Sequence, residues 1–424
     1  MSATWPPPVI DDRPDDEPPA EAPEERGSPV QLIVLLAAMA ALGFVKPYIL
    51  LAIVLLVVMI FLHELGHYVT AKRAGMKVTE FFLFFGPRIW SFKRGETEYG
   101  IKSIPAGAYV KVIGMSSLDP AVDPTEEKRT YRHASYPRRV LMASAGSLMH
   151  FFIAFVLGIA LFAGYGVYKA DSWKIGTVAP DSPAASAGLL PGDKILSIDG
   201  APVDDYTKMR DVFRSKPGAT VMLGVDSGGV VTQRSVTLLA DCNGTVGRLG
   251  IASTAVPVDQ SLPQSIVESG RVVVTGVWDS AVGLGKLFSP SGIRGYINTL
   301  SNRPDESGGS GVCASGTTEG RPSSIIGITQ GVADSAKDGM ESLLGIFLAI
   351  NIAIGVFNLI PMLPFDGGHI AIATYERIRE IGKPNGVRYH ADVAKLLPVV
   401  YGVLAVFLLL FLSAGFLDIT RGVN

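Results

Sequence analysis

"IFLHELGHYV", residues 60–69, prolongs an apolar run that begins at Tyr48 and then sets His63, Glu64 and His67 where hydrocarbon should continue. An ionisable side chain inside a membrane segment is costly, and a cluster of them more so. On a helix, residues i and i+4 share one face. His63 and His67 therefore present two imidazoles to one tetrahedral ion, with Glu64 one residue round from the first. H-E-x-x-H is the arrangement of zinc hydrolases, in which the histidines ligate and the glutamate acts as base. A chance match to three fixed positions is less credible here, because each of these residues must overcome its insertion cost.

Catalytic zinc takes three protein ligands, so the two histidines leave the site one short. "FNLIPMLPFDGGHI", residues 357–370, supplies a carboxylate. Pro361 and Pro364 end the preceding apolar helix, and Gly367-Gly368 is expected to permit a tight turn that swings Asp366 back toward the bilayer interior. The depths agree. Tyr48 to His63 and Leu343 to Asn358 are equal lengths of helix starting from the same side, about 23 Å at 1.5 Å per residue. Asn358 and Asp366 thus fall near the level of the histidines.

The rest of the chain supplies a membrane context. Of its 424 residues 48% are hydrophobic, and these gather in runs toward the two ends. A net charge of −2 leaves no basic field for nucleic acid. Residues 1–28, rich in proline and acid, read as a disordered tail without the basic start of a cleaved signal peptide. Residues 29–47 read as an extra helix, spanning or interfacial, since Val30–Val45 is short of the roughly 20 residues a span needs. Further spans are expected at Val140–Val167, Leu343–Leu363 and Leu397–Phe416. Residues 72–139 and the 377–395 connection are basic and hence cytoplasmic, which leaves 170–340 outside. Within the first loop, the alternating, glycine-broken stretch from Phe81 to Met115 suggests β-hairpins. Its Phe81, Phe82, Phe84, Phe85 and Trp90 are apolar enough to dip into the membrane.

With these motifs in view, the chain resembles a site-2 protease, the intramembrane zinc metalloprotease family, in its bacterial PDZ-containing branch and most nearly its actinobacterial members. The resemblance rests on HELGH at 63–67, the stretch Gly95–Met115, and Asn358-x-x-Pro361-x-x-Pro364-x-Asp366-Gly367-Gly368. It covers most of residues 48–416. It implies His63, His67 and Asp366 as ligands of Zn2+, Glu64 as catalytic base, and Asn358 as a substrate-binding and oxyanion-stabilising candidate. It also implies single-span substrates such as anti-sigma factors, cut within the bilayer after trimming outside it. The sequence departs from the family pattern in "AGSLMHF", where Ser147 stands for a proline and His150 for an asparagine, and at Phe84 and Ala108, commonly glycine. His150 reads as a satisfied histidine of the bundle interior sooner than as a polar contact of the site. His133, His369 and His390, without ligand-like spacing, read as surface or turn residues.

Residues 178–206 read as a short helix stopped at Gly188, a Pro191-Gly192 turn, a strand Lys194–Ile198 and an Asp199-Gly200 hairpin turn. This resembles a PDZ domain over 172–256, whose groove would take a peptide or substrate end by strand addition and screen substrates. The expected fold is an α-helical polytopic membrane protein of four core transmembrane helices plus the extra N-terminal helix, a membrane-associated β-hairpin region and an inserted α+β PDZ domain. Residues 48–168 form the first half of the protease core and 341–424 the second. Residues 257–340 are an extracytoplasmic linker region, with an amphipathic helix at Ser261–Leu287 and a Gly/Ser-rich mobile loop at Asn302–Ser324. Cys242 and Cys313 are too few and too far apart for a zinc ribbon, but admit one disulfide. The localisation implied is a multi-pass protein of the cell membrane, with its active site toward the cytoplasm. Two rival classes stay open on the residues: an ion or metal transporter, disfavoured by the lack of an internal repeat, and a catalytically silent PDZ-bearing scaffold.

Overall fold

The computed structural model describes residues 29–115, 122–203, 205–240, 245–301, 325–381, 383, 389–391 and 393–421. The acidic tail, the Gly/Ser-rich loop and both cysteines lie outside the described residues.

Helix α1 (Pro29–Val45) is followed by α2 (Pro47–Arg73), with Lys46 alone between them. Pro47 occupies the first turn of α2, where its missing N–H costs nothing and its fixed φ favours the helix. At 17 residues α1 is shorter than a typical span. Its Phe44 is 92% exposed, as an apolar side chain is where lipid, not water, is the neighbour.

Strands β1 (Val78–Arg94) and β2 (Thr97–Val112) are long enough to fold back on themselves. Phe81 faces Tyr99 on one side and Val110 on the other, while Trp90 pairs with Ile101. The segments therefore lie in the order 108–112, 78–83, 97–102, 88–94, a four-segment sheet made from one hairpin. The bends fall at Gly86 and Gly107, both at positive φ, and at Phe84, which holds φ 72° without being glycine. Phe81 stacks on Phe61 at 5.4 Å and on Tyr68 at 5.5 Å, fastening the sheet to α2 beside the histidines. Of the aromatics expected to dip into the membrane, Phe85 and Trp90 are exposed, beside Phe92 and Ile104, Phe84 is half-buried, and Phe81 and Phe82 are buried.

Helix α3 (Tyr136–Tyr165) returns along α2. Gly66 sets their spacing, since a Cβ there would lie 2.7 Å from the Ala145 carbonyl. The inserted α+β domain follows: β3 (Val167–Val178), α4 (Pro183–Ser186), β4 (Lys194–Ile198), β5 (Ala201–Pro202), α5 (Tyr206–Arg214), β6 (Thr220–Ser227), β7 (Val230–Thr237), β8 (Leu239–Ala240), β9 (Gly247–Arg248) and β10 (Ile251–Val258). A sheet of order β5-β4-β6-β7 and the pair β3-β10 close on a core of Trp173, Ile175, Ile195, Met209, Phe213 and Leu223. Burying each such large side chain contributes about 1.5–3 kcal/mol. β4 and the positive-φ pair Asp199-Gly200 fall where the sequence places a strand and its turn.

Helix α6 (Leu262–Leu287) starts from a capping box between Ser261 and Gln264 and runs along the spans. Its Ser269 hydroxyl donates to the Phe155 carbonyl, and Val272, Val273 and Val277 pack on Ala154, Leu348 and Ile352. α7 (Pro290–Ser301) turns back, with Tyr296 bonded to Ser413 at 2.8 Å. Thus the amphipathic stretch touches the bundle along one side, through Ser269, Val272, Val273 and Val277, while Val267, Val274 and Trp278 stay exposed. α8 (Ile325–Asp338) sets Val332 and Ala333 against Ala52 and Phe347. α9 (Met340–Asn358), α10 (Asp366–Glu380) and α11 (Leu397–Arg421) complete the chain. Among the described residues, α2, α3, α9 and α11 are the helices long and apolar enough to cross a membrane. α9 stops at Asn358, five residues short of the expected Leu363, because the segment running to Pro361 and Pro364 can no longer donate along a helix.

Candidate metal centre

Two helix ends and one helix face converge at the level of His63. Helix α2 presents His63 and His67 one turn apart. Their ring nitrogens Nε2 lie 3.2 Å from each other. The chain leaving α9 turns through Ile360–Phe365 with short-range backbone bonds, Met362 N–H to Ile360 O and Phe365 N–H to Met362 O. Asp366 then opens α10. Its carboxylate Oδ2 lies 3.5 Å from His63 Nε2 and 3.3 Å from His67 Nε2.

The double glycine works differently from expectation. Gly367 and Gly368 belong to α10 and have ordinary helical backbone angles. Their role is clearance: a Cβ on Gly367 would lie 2.3 Å from the Leu359 and Ile360 carbonyls, and one on Gly368 2.5 Å from Leu363 N. Without side chains, α10 can start directly against the loop that delivers it, which holds Asp366 at the histidines.

These residues fit a metal ion. His67 Nδ1 donates to the Met142 carbonyl at 2.8 Å, so in the neutral ring Nε2 carries the lone pair. That lone pair faces a carboxylate oxygen, a contact that either a proton or a metal ion would satisfy. His63 Nδ1 and Asp366 Oδ2 are buried without a hydrogen-bond partner among the described residues. A tetrahedral zinc site with ligand distances of about 2.0–2.2 Å has edges of about 3.3–3.6 Å, close to the triangle observed here. The hydrogen bond from His67 to Met142 is the kind of outer contact that would orient an imidazole toward a metal.

Gly146 of α3 lines the same space. A Cβ there would lie 2.2 Å from His63 Cε1 and 2.5 Å from the Nε2 atoms of both histidines. Glu64 Oε1 stands 4.0 Å from His63 Nε2 and remains partly accessible, within reach of a water at the triangle. Asn358 is the half-buried last residue of α9. Outside the triangle, His150 is fully buried, bonded to Asn351, and packs its ring 5.0 Å from that of His63. His133 and His390 are exposed as expected. His369 is half-buried in the first turn of α10, against Tyr131. The sequence reading missed Gly146, Met142 and Gly66. The run of small residues Ala143–Ser147 was the available sign of close helix approach.

A model of peptidase family M50 matches residues 51–402. Zinc metalloprotease Rip1 of Mycolicibacterium smegmatis is 32% identical over 402 residues, covering 86% of this chain and 95% of that protein. Zinc metalloprotease Rip1 of Mycobacterium tuberculosis is 31% identical over 418 residues, covering 89% and 99%. Among solved structures, the PDZ domain of the SdrC-like protein from Listeria monocytogenes is 31% identical, with a TM-score of 0.19, and covers 21% of this chain and 93% of that one.

Proposed function

The chain belongs to peptidase family M50, and from that premise we propose that His63, His67 and Asp366 hold its zinc and that Glu64 is its general base. The chain is a multi-pass membrane zinc metalloprotease. The observation that carries the assignment of residues is the triangle of facing donors, 3.2, 3.3 and 3.5 Å on a side, built from the two ends of the chain.

When bound, zinc acts as a Lewis acid that makes water nucleophilic near neutral pH and polarises the scissile carbonyl. The remaining work falls to side chains. Glu64 takes the proton of the attacking water and returns it to the leaving amine. The Asn358 amide donates to the oxygen on which charge develops. His67, tied to Met142, keeps its ring from rotating as charge moves. A transmembrane substrate hides its carbonyls in helical hydrogen bonds, so it must unwind before attack. The outer segments of the sheet, residues 88–94 and 108–112, are where an unwound substrate strand would add and be held open.

Substrates of this kind are single-span membrane proteins, such as anti-sigma factors, with the inserted PDZ domain screening them. The basic loop 72–139 supports a cytoplasmic position for the active-site end and an extracytoplasmic one for the PDZ domain. The test is purified protein incubated with a panel of single-span substrates, parent against Glu64→Ala, with zinc analysis alongside. Cleavage by the parent and none by a zinc-loaded Glu64→Ala is the expected result. Transport that survives Glu64→Ala, or bound zinc with no cleavage by the parent, would replace the protease by a transporter or a silent scaffold.

A further inference from the structure

His150 and Asn351 form a polar pair at the centre of the bundle that the hydrolysis above leaves unused. They are 2% and 0% exposed. The Asn351 amide Nδ2 donates to the Phe347 carbonyl at 2.8 Å, which leaves Oδ1 as the acceptor toward His150 Nδ1, 2.9 Å away. The proton of His150 therefore sits on Nδ1, and Nε2 is the acceptor. One tautomer and one ring orientation are selected.

Packing explains how two polar groups came to meet there. Gly355 lies one helical turn after Asn351, and a Cβ on it would be 3.1 Å from His150 Cβ and 2.6 Å from the Phe151 ring. The bare backbone lets α9 press against α3, which brings Asn351 within bonding distance. Burying such a pair costs free energy unless both members are bonded. Here both are bonded, and the fold keeps the pair in direct ring contact with His63, at 5.0 Å between centroids and 45° between planes. His63 is the ligand whose own Nδ1 has no hydrogen-bond partner among the described residues. His67 is oriented by Met142, whereas His63 meets the Gly146 backbone and leans on the His150 ring.

We infer that His150 is a positioning residue: locked by Asn351, its ring sets the orientation in which His63 offers Nε2 to the metal. The inference rests on the assignment of His63, His67 and Asp366 as ligands. It predicts that the pair acts on metal affinity and on ligand geometry, beyond the stability of the fold.

The test uses the full-length protein in detergent, with zinc affinity read by chelator competition and ligand geometry by the visible spectrum after Co2+ substitution. Folding is followed by circular dichroism. His150→Ala removes the ring; Asn351→Leu keeps the ring and removes its lock. Each is expected to weaken zinc binding by about 10- to 100-fold, the usual effect of losing an outer support of a ligand, and to shift the Co2+ bands. Either variant that folds decides the matter. Binding as tight as the parent's with an unchanged spectrum overturns the inference. A parent that takes up no zinc sinks the ligand assignment itself, so the two failures are told apart.

Discussion

Arg139 and Glu376 form a buried ion pair that joins the first turn of α3 to α10, the helix Asp366 opens, across 237 residues of sequence. Glu376 also accepts from the Ala391 N–H at 2.7 Å, and the Arg139 guanidinium lies over the Tyr131 ring at 5.0 Å. Breaking one side strands a charge. Glu376→Ala alone is expected to destabilise the protein by about 3–5 kcal/mol. The double replacement Arg139→Met with Glu376→Leu should cost clearly less. Thermal unfolding of the two variants in detergent checks this, and equal losses would contradict it.

Gly146→Ala is expected to abolish zinc binding with little loss of helix content. Its methyl group would occupy the space facing the Nε2 atoms of His63 and His67. Metal analysis of the purified variant reads the outcome. Retained zinc would mean that α3 moves away more easily than its packing suggests.

Phe84 holds a backbone conformation that costs an L side chain about 1–2 kcal/mol relative to glycine. Phe84→Gly and Phe84→Ala lose nearly the same apolar contact, but only the first relieves the backbone. Phe84→Gly should therefore be the more stable of the two by about 1 kcal/mol, measured by thermal or denaturant unfolding. The reverse order would refute the strain.

Glu96, at the tip of the β1–β2 hairpin, lies 2.5 Å from Lys72 Nζ and 2.7 Å from Arg129. The Lys72 hydrogen bond, helped by that of Arg129, holds its pKa below the ordinary carboxylate value. A carboxylate with a lowered folded-state pKa stabilises above its unfolded pKa, about 4.3, and loses that contribution as pH falls through the folded value. The parent should therefore exceed Glu96→Gln in melting temperature at neutral pH, and the gap should close as pH drops below about 4. A gap independent of pH would rule the linkage out.

Gly158→Val should loosen α6 from α3, because a Cβ there would lie 2.4 Å from Ser269 Oγ. Limited proteolysis is expected to cut within α6 in the variant and spare it in the parent. Identical digestion patterns would show that the contact does not hold α6.

The metal-site motifs were legible because each breaks its surroundings: charge within an apolar helix at 63–67, and proline and acid at the end of another at 361–366. Relations between helices were not. Hydrophobic pattern gave α6 an apolar stripe, but pattern does not name a partner, and Ala154, Leu348 and Ile352 lie on other elements. The same limit hides the bond from His150 to Asn351, each an isolated polar residue in its own helix. Gly367 and Gly368 were visible as glycines and misread in purpose. A turn and a close approach both demand a missing side chain, and only the position of Leu359 and Ile360 separates the two.

The triangle at His63, His67 and Asp366 also bears on how the enzyme comes into being. Two corners emerge early from the ribosome, and the third follows after the whole inserted domain. At about 5–20 residues per second, roughly 15–60 s pass between them. During that interval a nascent chain displays both histidines without the carboxylate that closes the triangle. Synthesis thus completes the triangle only in about the last seventh of the polypeptide.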